Sequence, residues 1–294
     1  MFNSIKKIAM GASVVAGVSV LGAPAFAGTL TGVSTTGDVR VFEQISGTEV
    51  QLSGSNGSAA IIDALGSAGS VELDDNIDYG WGNETASTLT ANFTDGSIMF
   101  GSVGAADWVG GLGTTWYNGL YSNYTAQLNA IAAAGSLDAS NANVMVGALE
   151  TMGVFQRLSD PNIQSVSSNN GEYSFELAGH NNFASGLDLE VTDPMYGLLS
   201  KMMASEVVKY SLDGGTNWDY AYSFGTPGSA GAFDKGSYAS GVVDAGDGFS
   251  FTRNYQFTVG TPNPDPVDVP EPSALLGLAA IGGLVVAAKR RKNA

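Results

Sequence analysis

The fold of this chain is limited most by two apolar segments, one near each end. Residues 8–21 and 274–288 hold no charged side chain, and basic residues flank each segment on one side. This combination is typical of segments that enter a membrane. We therefore predict that only residues 28–269, a stretch of 242, form the part of the protein outside the membrane.

Residues 1–27 have the layout of a secretory signal peptide. Two lysines precede the apolar run, and Ala25 and Ala27 place small side chains before the expected cleavage site. Cleavage after Ala27 would make Gly28 the first residue of the exported chain. A structural first helix is the alternative interpretation of the same residues.

The C-terminal segment combines a proline-containing motif, an apolar run and a basic end. The motif consists of Val269, Pro270, Glu271 and Pro272, and the basic residues are Lys289, Arg290, Arg291 and Lys292. As a helix, residues 274–288 would be about 22 Å long, which is shorter than the ~30 Å hydrocarbon core of a bilayer. These features predict a transient membrane helix whose basic end stays in the cytoplasm. A buried terminal helix is the alternative.

Residues 269–292 resemble the sorting tail of PEP-CTERM proteins, a class of bacterial surface proteins. The resemblance implies cleavage near Pro270-Glu271-Pro272 by an exosortase, which is a membrane cysteine protease, so that the apolar tail is lost. It also implies an organism that makes extracellular polysaccharide and biofilm. It implies nothing about the fold of the remaining chain.

Residues 28–269 are strongly acidic. They hold six of the 12 lysine and arginine residues and 27 of the 28 aspartate and glutamate residues, which gives a formal charge of −21. Such a surface repels nucleic acid and anionic lipid, and it can attract divalent cations, basic partners or cation-bridged polysaccharide. Solubility alone is an equally simple reason for the charge. The chain has no cysteine, which excludes disulfides and thiol catalysis.

Alternating apolar and polar residues predict a mainly β domain over residues 28–260, with antiparallel sheets in a sandwich-like arrangement. The alternation is found in residues 39–45, 49–52, 88–93, 97–100, 173–177, 206–211, 218–224 and 248–259. Asp95-Gly96 separates two of these stretches and is a hairpin signal. Residues 261–269, rich in proline and aspartate, are predicted to be an extended spacer before the tail.

Residues 115–158 depart from the β pattern and predict an inserted pair of helices packed on the sheet. The apolar stripe of the first helix consists of Trp116, Leu120, Tyr124, Leu128 and Ile131. The apolar side of the second consists of Met145, Leu149 and Met152, after a cap at Ser140 or Asn141. Aromatic stripes of this kind are more often core than ligand site, so we assign both to the core.

Residues 211–218 resemble the Asp-box, a turn motif of sequence Ser-x-Asp-x-Gly-x-Thr-Trp. Ser211, Asp213, Gly215 and Trp218 match it, and Asn217 replaces the threonine. We expect the Asp213 carboxylate to accept backbone hydrogen bonds and the glycines to adopt positive φ. The resemblance implies a structural role, in a motif that also occurs in polysaccharide-associated proteins.

Residues 74–80 are acidic and could bind calcium. Asp74, Asn76 and Asp78 supply oxygen atoms at alternate positions, as calcium loops do. The glycine and the distal glutamate of an EF-hand are each displaced by one position, so a calcium site here would be a looser surface site. The pattern favours a solvated acidic turn without metal, and the calcium site is the alternative.

The sequence favours a non-enzymatic surface or matrix protein that needs no cofactor. His180 is the only histidine, and we place it in a loop with no catalytic role. One alternative is a calcium-assisted carbohydrate-binding module that stacks sugars on Trp81, Trp108 or Tyr222. Another is a polysaccharide-active hydrolase with two facing carboxylates, one of them desolvated.

Overall fold

The computed structural model describes residues 27–45, 48–52, 57–66, 69–74, 86–180, 192, 194–225 and 253–260. These residues form two antiparallel sheets, one of eight strands and one of five, and a group of helices between the seventh and eighth strands. The prediction of a mainly β, sandwich-like fold with an inserted helical pair is confirmed.

The large sheet holds the first and the last described strands of the chain. Its strands are β1 (Ala27–Gly28), β3 (Asp38–Ile45), β4 (Thr48–Gln51), β5 (Ser70–Asp74), β8 (Asn162–Asn169), β9 (Glu172–His180), β10 (Ala204–Ser205) and β13 (Arg253–Gly260). The main path runs β10-β9-β8-β5-β3-β4, while β1 pairs with β8 and β13 pairs with β9.

The small sheet has the order β12-β11-β7-β6-β2. Its strands are β2 (Leu30–Thr36), β6 (Thr88–Phe93), β7 (Gly96–Gly101), β11 (Val208–Ser211) and β12 (Asp219–Ala221). Strands β6 and β7 form the hairpin predicted from Asp95-Gly96. Because side chains alternate between the faces of a strand, β6 buries Leu89, Ala91 and Phe93.

The inner faces of the two sheets share one hydrophobic cluster, which we call the sandwich core. Phe100 of the small sheet meets Phe175 of the large sheet edge to face, with ring centroids 4.9 Å apart. Helix α1 (Ser58–Gly66) adds Ile61 and Leu65 to this core. We predicted no helix between residues 28 and 114, so α1 is a correction. Its apolar residues at positions 61, 64 and 65 follow helical spacing within only nine residues.

The chain passes from the small sheet to the large one at Gly37, between β2 and β3. Gly37 has φ 79°, a conformation that favours glycine. A Cβ at this position would lie 2.8 Å from the Cα atom of Ser87. Both the backbone conformation and the close approach therefore require glycine at this corner.

The helical insertion begins at residue 105, ten residues before the predicted start. It consists of α2 (Ala105–Asp107), a π-helical turn (Trp108–Leu112), α3 (Gly113–Ala134), α4 (Ala142–Thr151) and α5 (Val154–Arg157). Asn141 caps α4, because its side chain accepts a hydrogen bond from Val144 N at 3.3 Å. Met152, which we assigned to the apolar side of α4, is 47% exposed because the helix ends before it.

The helices have a second hydrophobic cluster, which we call the helical core. Trp108 stacks on Phe155 with ring centroids 4.3 Å apart, and Trp116 meets both rings edge to face. The short helix α6 (Tyr196–Leu199) contributes Leu199. Buried Ala204 of β10 belongs to the helical core and marks where the helices meet the large sheet.

Candidate functional site: the Asp-box-like turn and the sorting tail

The loop between β11 and β12 is an Asp-box-like turn built around Asp213. Its carboxylate accepts hydrogen bonds from the backbone N–H groups of Thr216 and Asn217, at 3.1 and 2.9 Å. Ser211 Oγ donates to the same carboxylate at 2.8 Å and accepts from Gly215 N at 2.9 Å. One hydroxyl and one carboxylate thus accept hydrogen bonds from the backbone N–H groups of residues 213, 215, 216 and 217.

These hydrogen bonds decide what Asp213 can do chemically. They lower its pKa to about 2, and the bonds from the backbone and side chain of Asn217 are the largest causes. Gly214 and Gly215 have φ 70° and 90°, so the turn uses two left-handed residues in succession. The carboxylate is ionised at neutral pH and its oxygens are bonded within the loop, which makes it a structural anchor.

Trp218 lies half-buried under this turn. A Cβ on Gly215 would lie 3.5 Å from the indole, and a Cβ on Gly101 of β7 would lie 3.3 Å from it. The Lys209 ammonium lies over the Trp218 ring, 5.6 Å from its centroid. The indole is therefore covered by the turn and by Lys209, which limits its use as a stacking platform.

Lys209 also belongs to a group that we call the junction cluster, formed by Asp107, Lys209 and Tyr220. Lys209 Nζ lies 2.9 Å from Asp107 Oδ2, and the side chains are 15% and 20% exposed. The Tyr220 hydroxyl donates to Asp107 Oδ1 at 2.7 Å, and Gly104 N donates to Oδ2 at 3.0 Å. Burial, and next the bond to Asp107, raise the pKa of Tyr220 well above its usual value. The cluster joins the start of the helices to the small sheet.

Two buried glutamates were missed by sequence reasoning, one in β5 of the large sheet and one directly after β10. Glu72 is 4% exposed and Glu206 is 1% exposed. Glu72 pairs with Arg40 at 3.3 Å, while Glu206 accepts a 2.6 Å hydrogen bond from Asn162 N. Asn162 lies opposite Glu72 in the β5–β8 register. Because buried carboxylates are stable only with partners, we interpret this row as a structural link across the sheet.

The residues proposed for calcium lie mostly outside the described residues. Asp74 is the last residue of β5 and pairs with Asp38 through the backbone register. Asn76 and Asp78 are not described. Within the described ranges, no group of three or more histidine, aspartate and glutamate side chains could hold a metal ion.

The structure corrects two predictions about single residues. His180 lies at the end of β9, in register with Ala204, and not in a loop. Trp108 is only 3% exposed and is stacked in the helical core, so it cannot be a sugar-stacking platform. Tyr222 is half-buried against Phe224, with ring centroids 5.7 Å apart. Trp81 lies outside the described residues.

Of the predicted signal peptide and sorting tail, the structure describes only the predicted signal cleavage site. Ala27 and Gly28 form β1, and Ala25 and residues 261–294 lie outside the described residues. Among the helices that the structure describes, none has the length and apolar character needed to cross a membrane.

The family model of the PEP-CTERM protein-sorting motif matches residues 268–292. The match confirms the predicted tail, from the Pro270-Glu271-Pro272 motif to the basic end. It implies an exported protein that an exosortase processes. No curated protein and no solved structure matches the chain.

Proposed function

We propose that this protein is a non-enzymatic component of a bacterial cell surface or extracellular matrix, associated with exopolysaccharide or biofilm. The observation that carries the proposal is the PEP-CTERM match at residues 268–292. A sorting signal of this kind delivers a folded domain to the outside of the cell. The function is then that of the acidic domain that remains after processing.

The tail supports a short membrane stage before release. Residues 274–288 carry no charge, and four basic residues follow them, so the basic end is held in the cytoplasm. At about 22 Å, the apolar run is short for a permanent anchor in the inner membrane. Cleavage near Pro270-Glu271-Pro272 would release a domain with a formal charge of −21, which repels other acidic surfaces.

The contacts of three acidic side chains among the described residues support a structural use of these three. Glu72 pairs with Arg40, and Glu206 with Asn162. Asp213 is bonded within its own turn. We propose no cofactor for the domain. Calcium at Asp74, Asn76 and Asp78 is the alternative, as part of a carbohydrate-binding module that would use Tyr222 or Trp81.

The sorting proposal is tested with the full chain, produced in its own bacterium with and without the exosortase. We expect a mass loss that corresponds to cleavage near residue 270, and movement of the protein from the membrane to the outside. Pro270→Ala combined with Glu271→Ala should stop both, and the matched control Pro266→Ala in the spacer should stop neither. Equal masses with and without the exosortase would contradict the proposal.

The matrix role is tested by calorimetric titration of the released protein against the exopolysaccharide of the producing cells, with and without calcium. Saturable heat would support association with polysaccharide, and dependence on calcium would point to residues 74–78. No heat in either condition would remove polysaccharide as the partner and leave a protein partner or a purely structural role.

A further inference from the structure

Gly28 lies against Asp95 so closely that no side chain fits between them. A Cβ on Gly28 would lie 2.6 Å from Asp95 Cγ and 2.8 Å from Oδ2. Standard bond lengths then place the Gly28 nitrogen within about 5 Å of the carboxylate. Gly28 is also the residue that signal-peptide cleavage is predicted to expose.

Strands of both sheets hold this contact in place. Gly28 in β1 is in register with Ser168 in β8, and Ser168 Oγ donates to the Asp95 carboxylate at 2.8 Å. Asp95 itself lies in the turn between β6 and β7. Next to it, Thr29 N donates to Thr94 Oγ1 at 3.1 Å and Thr94 N donates to Thr29 O at 3.0 Å. The start of the exported chain is therefore fixed beside one carboxylate.

The described residues give the Asp95 carboxylate hydrogen-bond donors but no cation. Its hydrogen-bond donors are the hydroxyl of Ser168 and, at 3.4 Å, the backbone N–H of Gly171. Within the described ranges, the ion pairs of lysine and arginine involve Asp38, Glu72 and Asp107, and none involves Asp95. A nearby positive charge would stabilise the ionised carboxylate.

We propose that removal of residues 1–27 creates an ion pair between the new ammonium of Gly28 and the carboxylate of Asp95. Hydrolysis of the Ala27–Gly28 bond consumes one water. The carboxylate product leaves on Ala27, and the freed amine of Gly28 takes up a proton. Before cleavage the same nitrogen is an uncharged amide. The exported domain therefore gains this stabilising contact only when the signal peptide is removed.

The pair gives stability a defined pH dependence. An α-amino group has a usual pKa of about 7.7–8.0, and the adjacent carboxylate raises it in the folded state. A raised folded-state pKa contributes stability that is complete below about pH 7.7 and is lost as pH rises through the raised value. Among the residues that the structure describes, the ionisable groups around the site are Asp95 and, on β9, Glu172 and Tyr173. Burial, followed by Asp95, raises the pKa of Tyr173 above 10, so it stays neutral in this range.

The test is a double-mutant cycle in the full chain with its own signal peptide. One variant inserts Ser-Gly-Ser between Ala27 and Gly28, which moves the new ammonium away from the carboxylate, and the other is Asp95→Asn. At pH 6.5 we expect each change to lower Tm by about 2–4 °C, and the combined variant to lose no more than Asp95→Asn alone. At pH 10 the insertion should cost little in either background. Exposed Asp63→Asn on α1 is the matched control and should show no coupling to the insertion.

Three results would overturn the proposal. They are an exported N-terminus other than Gly28, equal effects of the insertion with Asp95 and with Asn at that position, and a Gly28 amine that titrates at or below its usual value. The titration is measured by NMR on the wild-type protein, so it decides the matter even if Asp95→Asn fails to fold. The proposal depends on the predicted cleavage after Ala27 and not on the tail. The intact mass of the protein distinguishes failure of this proposal from failure of the sorting proposal, because failed sorting changes only the C-terminal end.

Discussion

The two hydrophobic cores of this protein are built by different means. The sandwich core is mainly aliphatic and phenylalanine side chains from strands far apart in the chain. The helical core is dominated by Trp108, Trp116, Tyr117 and Tyr124 from one continuous segment, together with Phe155. Backbone pairing fixes the register of the strands, whereas side chains must fix the helices and their connections.

In the helical core, the indole N–H and phenol O–H groups of the aromatic residues hold the helices and their connections in place. Trp108 Nε1 donates to Ser159 Oγ at 2.9 Å, and the Tyr117 hydroxyl donates to Ala139 O at 2.6 Å. The Tyr124 hydroxyl bonds to the backbone of Met203 at 2.9 Å. A ring that packs and also donates can hold a loop in place. The two cores therefore differ in what stabilises them. Backbone hydrogen bonds between strands and apolar packing stabilise the sandwich core. In the helical core, hydrogen bonds from aromatic side chains to loops add to the packing.

The largest expected effect comes from emptying either core. Trp116→Ala and Phe100→Ala each remove a fully buried ring. We expect each to lower the free energy of unfolding by about 3–5 kcal/mol. Hydrogen exchange separates the two regions. Trp116→Ala should lose protection mainly in α3 and α4, whereas Phe100→Ala should lose it in both sheets. Identical exchange patterns would show that the two cores unfold as one unit.

A smaller effect is expected at the junction cluster, where the two regions meet. Asp107→Ala removes the partner of Lys209 and Tyr220 and leaves the partly buried ammonium of Lys209 without it. We therefore expect the free energy of unfolding, measured by chemical denaturation, to fall by about 1–3 kcal/mol. Lys209→Met combined with Asp107→Ala should recover part of it, since no charge is then left without its partner. If the single and double variants are equally unstable, the ion pair does not couple the regions.

The smallest effect is expected at alkaline pH. Burial raises the pKa of Tyr117 in the helical core and of Tyr210 in the sandwich core to about 12. Because both values exceed the usual 10, stability present below pH 10 is lost as pH rises toward 12. Tyr117→Phe and Tyr210→Phe should each flatten this decline. Only Tyr117→Phe should also cost about 1 kcal/mol at pH 7, because it removes the bond to Ala139 O. Thermal melts at pH 7 and pH 11 provide the measurement.

The elements that the sequence predicted correctly are those whose residue pattern lies within a short stretch of the chain. The β6–β7 hairpin and the stripe of α3 were predicted because alternation and helical spacing are each visible within a few residues. Strand β8 was missed for the opposite reason. Its register shifts between Gln164 and Ser167, and Ser165 has φ 51°, so its buried residues do not alternate regularly.

The same distinction applies to the candidate site. The partners of Asp213 all lie between Ser211 and Asn217, so one short motif predicted the turn. Asp107 and Lys209 are 102 residues apart, and no pattern in the sequence connects them. Glu72 and Glu206 were also missed, because burial of a charged residue depends on which strands become neighbours. Only the fold provides that information.

The attachment of β13 has a mechanical consequence. This strand pairs with β9 through eight residues, from Arg253 opposite Gly179 to Gly260 opposite Glu172. The chain continues directly from Gly260 toward the sorting tail. Tension applied to the tail along the strand would be shared among all eight pairs, whereas a pull across the sheet would open them one at a time from Gly260. During the proposed membrane stage, the direction of the load would therefore decide how strongly the domain resists unfolding.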